Sequence, residues 1–209
     1  MHASRRGPSP EVAIILMAAA GLALCMAEGR MVRAFDRRVS RLVQRSRGSM
    51  DGVMLSLSEG GNEWSMAAAG SLLVAVLSAD RRAKTGTFVA VAAVAALGGS
   101  YVLRHTIPRH RPARPYLLNK PSSFSFPSGH AAGTTAIFGS LLVALHRSST
   151  SGYVRWAASS LAGLMGPGVG LSRIYFGVHH PSDVLGGQLA GALSLLLAKH
   201  LVLDRRNGR

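Results

Sequence analysis

Cysteine is nearly absent. Cys25 is the single one in the chain, so no disulfide can form within it and the redox compartment is left open. Acidic residues are scarce too: 9 Asp+Glu stand against 24 Lys+Arg, a formal charge of +15. Such a basic balance usually suggests a nucleic-acid binder. Here the charges sit in short loops between apolar runs, which makes anionic lipid headgroups the expected partners and sets nucleic acid aside. Internal repeats, low-complexity tracts and linkers long enough to separate domains are missing as well. One domain over residues 1–209 is the expectation.

What the chain has in plenty is apolar runs. They lie at about 12–27, 63–79, 86–103, 131–146, 153–171 and 184–203, each close to the roughly 20 residues that cross a bilayer core. Six such runs leave too little polar surface for a soluble helical core, so the expected fold is all-α, a polytopic six-transmembrane helical bundle. Ala and Gly abound in the runs and let membrane helices approach closely. The first run follows Arg5 and Arg6 and could be a cleaved signal peptide. Leu24 before Cys25 is too bulky for a lipoprotein site, and an uncleaved first span is expected.

Between the first two runs lies GRMVRAFDRRVSRLVQRSR, residues 29–47. Met31, Phe35, Val39 and Leu42 share one helical face; Arg30, Arg33, Arg37, Arg41 and Arg45 share another. An amphipathic helix over about 30–46, lying on the membrane surface, is expected. Basic residues do not decide orientation by themselves. With the N-terminus inside, Arg30 to Arg47 and Arg104 to Lys120 put at least as much charge outside as inside. Two spans separate the loop at about 104–130 from the loop at about 172–183, so both must open on one face whichever way the chain runs.

Those two loops hold the chemistry. The first reads RHTIPRHRPARPYLLNKPSSFSFPSGH, with Arg104 and Arg111-Pro112 separated by six residues and Pro127-Ser128-Gly129-His130 before an apolar helix. Ser128 suits an N-cap, and a helix start is an anion site. The second reads SRIYFGVHHPSD and supplies Ser172, Arg173, His179 and Asp183. Pro181 suits the first position of the last helix, which puts Asp183 in its first turn. Arginine forks match tetrahedral oxyanions. Two histidines suit a nucleophile and a proton donor, and an acid beside one of them can fix its tautomer. The set reads as a phosphate site built without metal. Ser128 lacks the G-x-S-x-G context of a serine nucleophile. A metal site on His130, His179, His180 and Asp183 is disfavoured by the arginines around them. GPGVG at 166–170 lies inside an apolar run, where a helix kink is expected in place of a phosphate loop.

Arg104-x6-Arg111-Pro112, Pro127-Ser128-Gly129-His130 and Ser172-Arg173-x5-His179-x3-Asp183 together resemble the three-part signature of the type-2 phosphatidic acid phosphatase superfamily. That superfamily comprises lipid phosphate phosphatases and the vanadium haloperoxidases. One position departs: the family usually opens its first motif with lysine, where this chain has Arg104. The resemblance implies that His179 is the nucleophile and forms a phosphohistidine, that Asp183 holds its ring, and that His130 protonates the leaving oxygen. It implies that Arg104, Arg111, Ser128, Gly129 and Arg173 bind the phosphoryl oxygens. It assigns His180 no chemical role and calls for no cofactor, metal or protein partner.

By the same resemblance the chain is expected to be a lipid phosphatase of the bacterial cytoplasmic membrane. Both termini would be cytoplasmic and the site extracytoplasmic. The substrate expected is undecaprenyl (polyprenyl) pyrophosphate; phosphatidic acid, phosphatidylglycerophosphate and lipid A are the alternatives. A haloperoxidase would share the site residues but is soluble. A lipid-binding or transport protein without turnover and a metal-dependent hydrolase are more remote.

Overall fold

The computed structural model describes Gly21 and residues 29–79, 83–113, 115–118, 123–147 and 151–204. The expected first span, at about 12–27, lies outside the described residues apart from Gly21. Helices follow one another along the rest: α1 (Arg30–Gln44), α2 (Asp51–Gly60), α3 (Glu63–Ala79), α4 (Ala83–Thr106), α5 (Gly129–His146), α6 (Gly152–Tyr175) and α7 (Pro181–Ala198). A π-helical turn, Lys199–Leu203, extends α7. No strand occurs among the described residues, and the all-α expectation holds.

Five of the six apolar runs coincide with α3 to α7. Among the described residues, two helices have both the length and the composition to cross a bilayer, Ala83–Thr106 and Pro181–Leu203. The apolar part of α3, Glu63–Ser78, is shorter. A six-span layout is therefore a stronger statement than the helices carry. The reason is local: α5 opens GHAAGTT, and α6 contains Arg155, two serines at 159–160, Pro167 and Arg173. Polar groups and glycines, at the site end and along the rest of α5 and α6, dilute the hydropathy of these helices.

The exposed face is apolar and charges are buried inside. Leu72, Val76, Val94, Trp156 and Leu164 are exposed, while Asp36, Arg109, Arg111, Arg173, His179 and Asp183 are buried. Charged residues are almost never buried in a water-soluble domain unless paired. An apolar outer wall around buried ionisable groups fits a lipid surround. Beneath the wall, Leu77, Phe88, Val89, Ala92, Ala144 and Ala198 form one core cluster, and Met54, Tyr175, Phe176 and Val178 form a second under the site.

Close approach of α5 and α7 fixes the site's floor. Gly187 and Gly191 lie one turn apart on α7. A Cβ at Gly187 would collide with the Ser128 carbonyl oxygen, and one at Gly191 with the Ala132 carbonyl oxygen. Small residues at i and i+4 let two backbones meet in this way, and the contact sets the start of α5 directly against the start of α7.

The surface helix α1 covers the expected segment but has three faces. Met31, at 82% exposure, Phe35 and Leu42 point outward. Asp36 alone on this helix is buried, flanked by half-buried Val32, Val39 and Val43. The Gln44 side chain donates to the Ile174 carbonyl at 3.0 Å and Arg47 to that of Tyr175 at 2.9 Å, tying the end of α1 to the end of α6. Helix α2 was not expected from the sequence. Its ten residues fall below the length at which apolar periodicity is decisive, and it ends where Gly60 and Gly61 break the run. GPGVG at 166–170 is helical throughout, with Pro167 inside α6, which removes the phosphate-loop reading.

Candidate active site

Residues expected in two loops are carried partly by helix ends. Arg104 sits in the last turn of α4 and Arg173 in the last turn of α6. Gly129 and His130 open α5, and Asp183 lies in the first turn of α7. Helix ends hold side chains more firmly than loops do, and leave unpaired backbone groups beside them.

The turn after α6 determines which of the adjacent histidines faces inward. Gly177 adopts φ 65°, a left-handed conformation that favours glycine. Its N–H reaches the Ile174 carbonyl at 3.0 Å and the Val178 N–H reaches that of Arg173 at 3.2 Å, the two bonds of a Schellman motif. The chain folds back, and His179 is 2% exposed. His180 becomes the N-cap of α7, half-buried, with its ring nitrogen 3.3 Å from the His110 carbonyl oxygen.

Arg111 and His179 meet. The Arg111 Nη1 lies 2.9 Å from His179 Nε2 and donates to the Val178 carbonyl at 2.8 Å. Its Nε and Nη2 donate to Ser123 and Phe124. A guanidinium has no acceptor, so the ring nitrogen facing it must be the unprotonated one, and the proton belongs on Nδ1. That nitrogen is 3.6 Å from Asp183 Oδ2, within ion-pair reach but too far for a hydrogen bond. Burial, opposed by Asp183, holds the His179 pKa down at about 4; the ring is neutral at neutral pH. Burial and the neighbouring Arg104 bring Arg111 down to about 10, which leaves it charged.

The PSGH motif closes on the last helix. The Ser128 N–H donates to the Asp183 carbonyl at 3.0 Å, and its hydroxyl caps α5 by accepting from Ala131 N–H at 3.4 Å. Arg104 lies over Gly129: a Cβ there would stand 3.1 Å from its Nη2. The half-buried His130 is close enough to feel the charges of Arg104, Arg111 and Arg173 as well as His179. Arg173 donates through Nη1 to Ser58 of α2 at 2.5 Å, and its buried Nε has no hydrogen-bond partner among the described residues. All eight residues named from the sequence therefore gather where the ends of α4 and α6 meet the starts of α5 and α7, and the two loops do share one face.

Four contributors escaped the sequence reading. Ser58 anchors Arg173. Arg109 bridges Asp36 at 2.7 Å and Asp183 at 2.5 Å, and Ser182 donates to Asp36. One signal was available: Asp36 is the only acid in a segment with seven arginines, residues 29–47, and it falls among valines. Beside these groups a cleft of about 590 Å³ runs between α1 and the 109–113 loop, lined by Arg33, Arg37, Arg41, His110 and His180 among others.

Comparison with known proteins places the chain in a family. A family model described as the PAP2 superfamily matches residues 83–207, and the chain belongs to that superfamily, the type-2 phosphatidic acid phosphatases. Its fold is similar to the crystal structure of a transmembrane PAP2-type phosphatidylglycerolphosphate phosphatase from Bacillus subtilis. The TM-score is 0.80 at 25% identity, covering 95% of this chain and 98% of that one. Phosphatidylglycerophosphatase B of Bacillus subtilis is 38% identical over 100 residues, 47% of this chain. The match spans about half of that relative's length, 48%. Decaprenylphosphoryl-5-phosphoribose phosphatase of Mycobacterium tuberculosis is 32% identical over 145 residues, 66% of this chain and 75% of its own. An undecaprenyl-diphosphatase of Sulfolobus acidocaldarius is 31% identical over 149 residues, 69% and 66% respectively.

Proposed function

We propose that this chain is a single-domain, six-span lipid phosphatase of the bacterial cytoplasmic membrane, with cytoplasmic termini and an extracytoplasmic site. It removes the terminal phosphate through a phosphohistidine. The observation that carries the reading is the contact between Arg111 and His179 at 2.9 Å. A buried, neutral imidazole with its Nε2 lone pair held toward a cation is a nucleophile facing an anion site.

The phosphoryl group enters between Arg104, Arg111, Arg173 and the start of α5, where the free N–H of Gly129 and the helix dipole favour negative charge. Arg111 Nη1 exchanges its contact with Nε2 for a phosphoryl oxygen. His179 Nε2 then attacks phosphorus. A P–N bond forms as the P–O bond to the lipid breaks, and His130, which takes up a proton once the charge of the phosphate offsets the arginines around it, gives that proton to the departing oxygen. Water next attacks the phosphohistidine with His130 as base, releasing inorganic phosphate and restoring the ring. Asp183 balances the positive charge that develops on His179. The arginines stabilise the transition state as Mg²⁺ does in other phosphoryl-transfer sites, so the reaction needs no divalent metal.

The preferred substrate is a polyprenyl pyrophosphate. Two of the relatives act, by name, on polyprenyl-linked phosphates, which is what supports this choice. A phosphate-release panel in one detergent tests this: polyprenyl pyrophosphate, decaprenylphosphoryl phosphoribose phosphate, phosphatidic acid, phosphatidylglycerophosphate and lipid A, each with and without chelator. The pyrophosphate should give the highest kcat/KM, unchanged by chelation. Faster release from a phosphomonoester overturns the substrate choice. Loss with EDTA restored by one metal overturns the arginine mechanism.

A further inference from the structure

Asp36 is out of place on a surface helix. It is 4% exposed, and its two oxygens take three hydrogen bonds: from Arg109 Nη2 at 2.7 Å, from the Ser182 N–H at 2.9 Å and from the Ser182 hydroxyl at 2.8 Å. Ser182 is in the first turn of α7, so this carboxylate caps α7 from outside the helix, where negative charge is favoured. Arg109 uses its other nitrogen, Nη1, for Asp183 Oδ1 at 2.5 Å and for the Ser182 hydroxyl at 2.8 Å. The remaining oxygen of Asp183 accepts the His180 N–H at 2.7 Å and faces His179 Nδ1 at 3.6 Å. A line of ion pairs thus leads from α1 to the reacting ring, Asp36 to Arg109 to Asp183, and ends with Asp183 Oδ2 within ion-pair reach of His179.

We propose that Asp36 is a positioning residue for the nucleophile, acting through Arg109 to fix the Asp183 carboxylate beside His179. The inference rests on the reading of His179 as the attacking group. Two carboxylates compete for one guanidinium. Because Asp36 holds Nη2, Arg109 meets Asp183 through Nη1 and leaves Oδ2 turned to His179. Without the Asp36 charge, both guanidinium nitrogens are available to Asp183. A bidentate pair is the geometry an arginine and a carboxylate prefer, and it would draw Oδ2 away from the ring. The helix that lies on the membrane surface is thereby part of the support of the reacting site. A plain structural pin would need neither the second carboxylate nor the shared arginine.

The test compares wild type, Asp36→Asn, Asp36→Glu and, as a control on the exposed face of α1, Arg38→Gln. The full-length protein in detergent is mixed with ³²P-labelled polyprenyl pyrophosphate. The rate of acid-labile phosphoenzyme formation is measured per folded molecule, with folded fraction taken from size exclusion and thermal melts. Asp36→Asn should slow phosphoenzyme formation roughly tenfold to a hundredfold, the loss that follows removal of the partner orienting a metal-bound histidine, with KM nearly unchanged. Asp36→Glu should recover part of the rate, and Arg38→Gln should match wild type. If Asp36→Asn does not fold, Arg109→Lys carries the same comparison, because one ammonium cannot bridge two carboxylates through separate nitrogens. A folded variant of either kind with the wild-type rate and a lowered melting temperature makes Asp36 a structural pin and overturns the proposal. Absence of phosphoenzyme from wild type itself, under conditions where phosphate is released, overturns the nucleophile reading first.

Discussion

At the scale of the residue, two neighbours of identical chemistry have different fates. His179 and His180 are both imidazoles in a polar turn, yet one is buried against Arg111 and the other caps a helix with its ring near the His110 carbonyl. His179→Ala should abolish phosphate release. His180→Ala should keep most of it, with a loss within about tenfold, because its backbone N–H still reaches Asp183. Steady-state kinetics of both variants on one lipid decides the point, and equal losses would mean that both rings serve the reaction. The motif pattern singled out His179, Asp183, His130 and the three arginines of the signature. It could not single out Arg109, which sits two residues before Arg111 in a run already rich in cations, nor Asp36, 73 residues away along the chain from its partner. Long-range ion pairs leave no mark on local spacing.

At the scale of the element, the site depends on how closely α5 and α7 approach. Gly187 touches the Ser128 carbonyl, whereas a Cβ on Gly98 of α4 meets nothing within 4 Å. Gly187→Ala should lower stability by about 1–3 kcal/mol through overpacking and should reduce turnover as well, because Ser128 and Asp183 are bonded across that contact. Gly98→Ala should be neutral or stabilising by up to roughly 1 kcal/mol, since alanine is the better helix former. Thermal melts of the two variants in the same detergent check this, and equal effects would refute a special contact at Gly187. Five helices and the surface helix were legible from apolar runs and from the alternation of arginine with apolar residues. Helix α2 was not, because its few apolar residues owe their burial to Tyr175 and Val178 rather than to a pattern of their own.

At the scale of the whole molecule, the buried site makes stability depend on pH. His179 titrates at about 4 when folded and near 6.5 when exposed in the unfolded chain. Above about 6.5 both states carry a neutral ring and the group contributes no difference. Between about 6.5 and 4 the unfolded state binds the proton and the folded state does not, so stability falls as pH falls through that window. The full loss from this group is about 3 kcal/mol. Melting temperatures across that window should fall more steeply for wild type than for His179→Asn; parallel curves would mean the ring is not held neutral. The sequence by itself determined the helical class, the helix α1, the family and the ionisable set, because apolar run length and motif spacing are local properties of the chain. Tertiary structure alone decided how the turn carries His179 inward, that Arg111 fixes its tautomer, and that Asp36 and Arg109 stand behind Asp183. Those facts come from a left-handed glycine, a glycine-lined helix contact and ion pairs between distant segments, which exist only once the chain has folded.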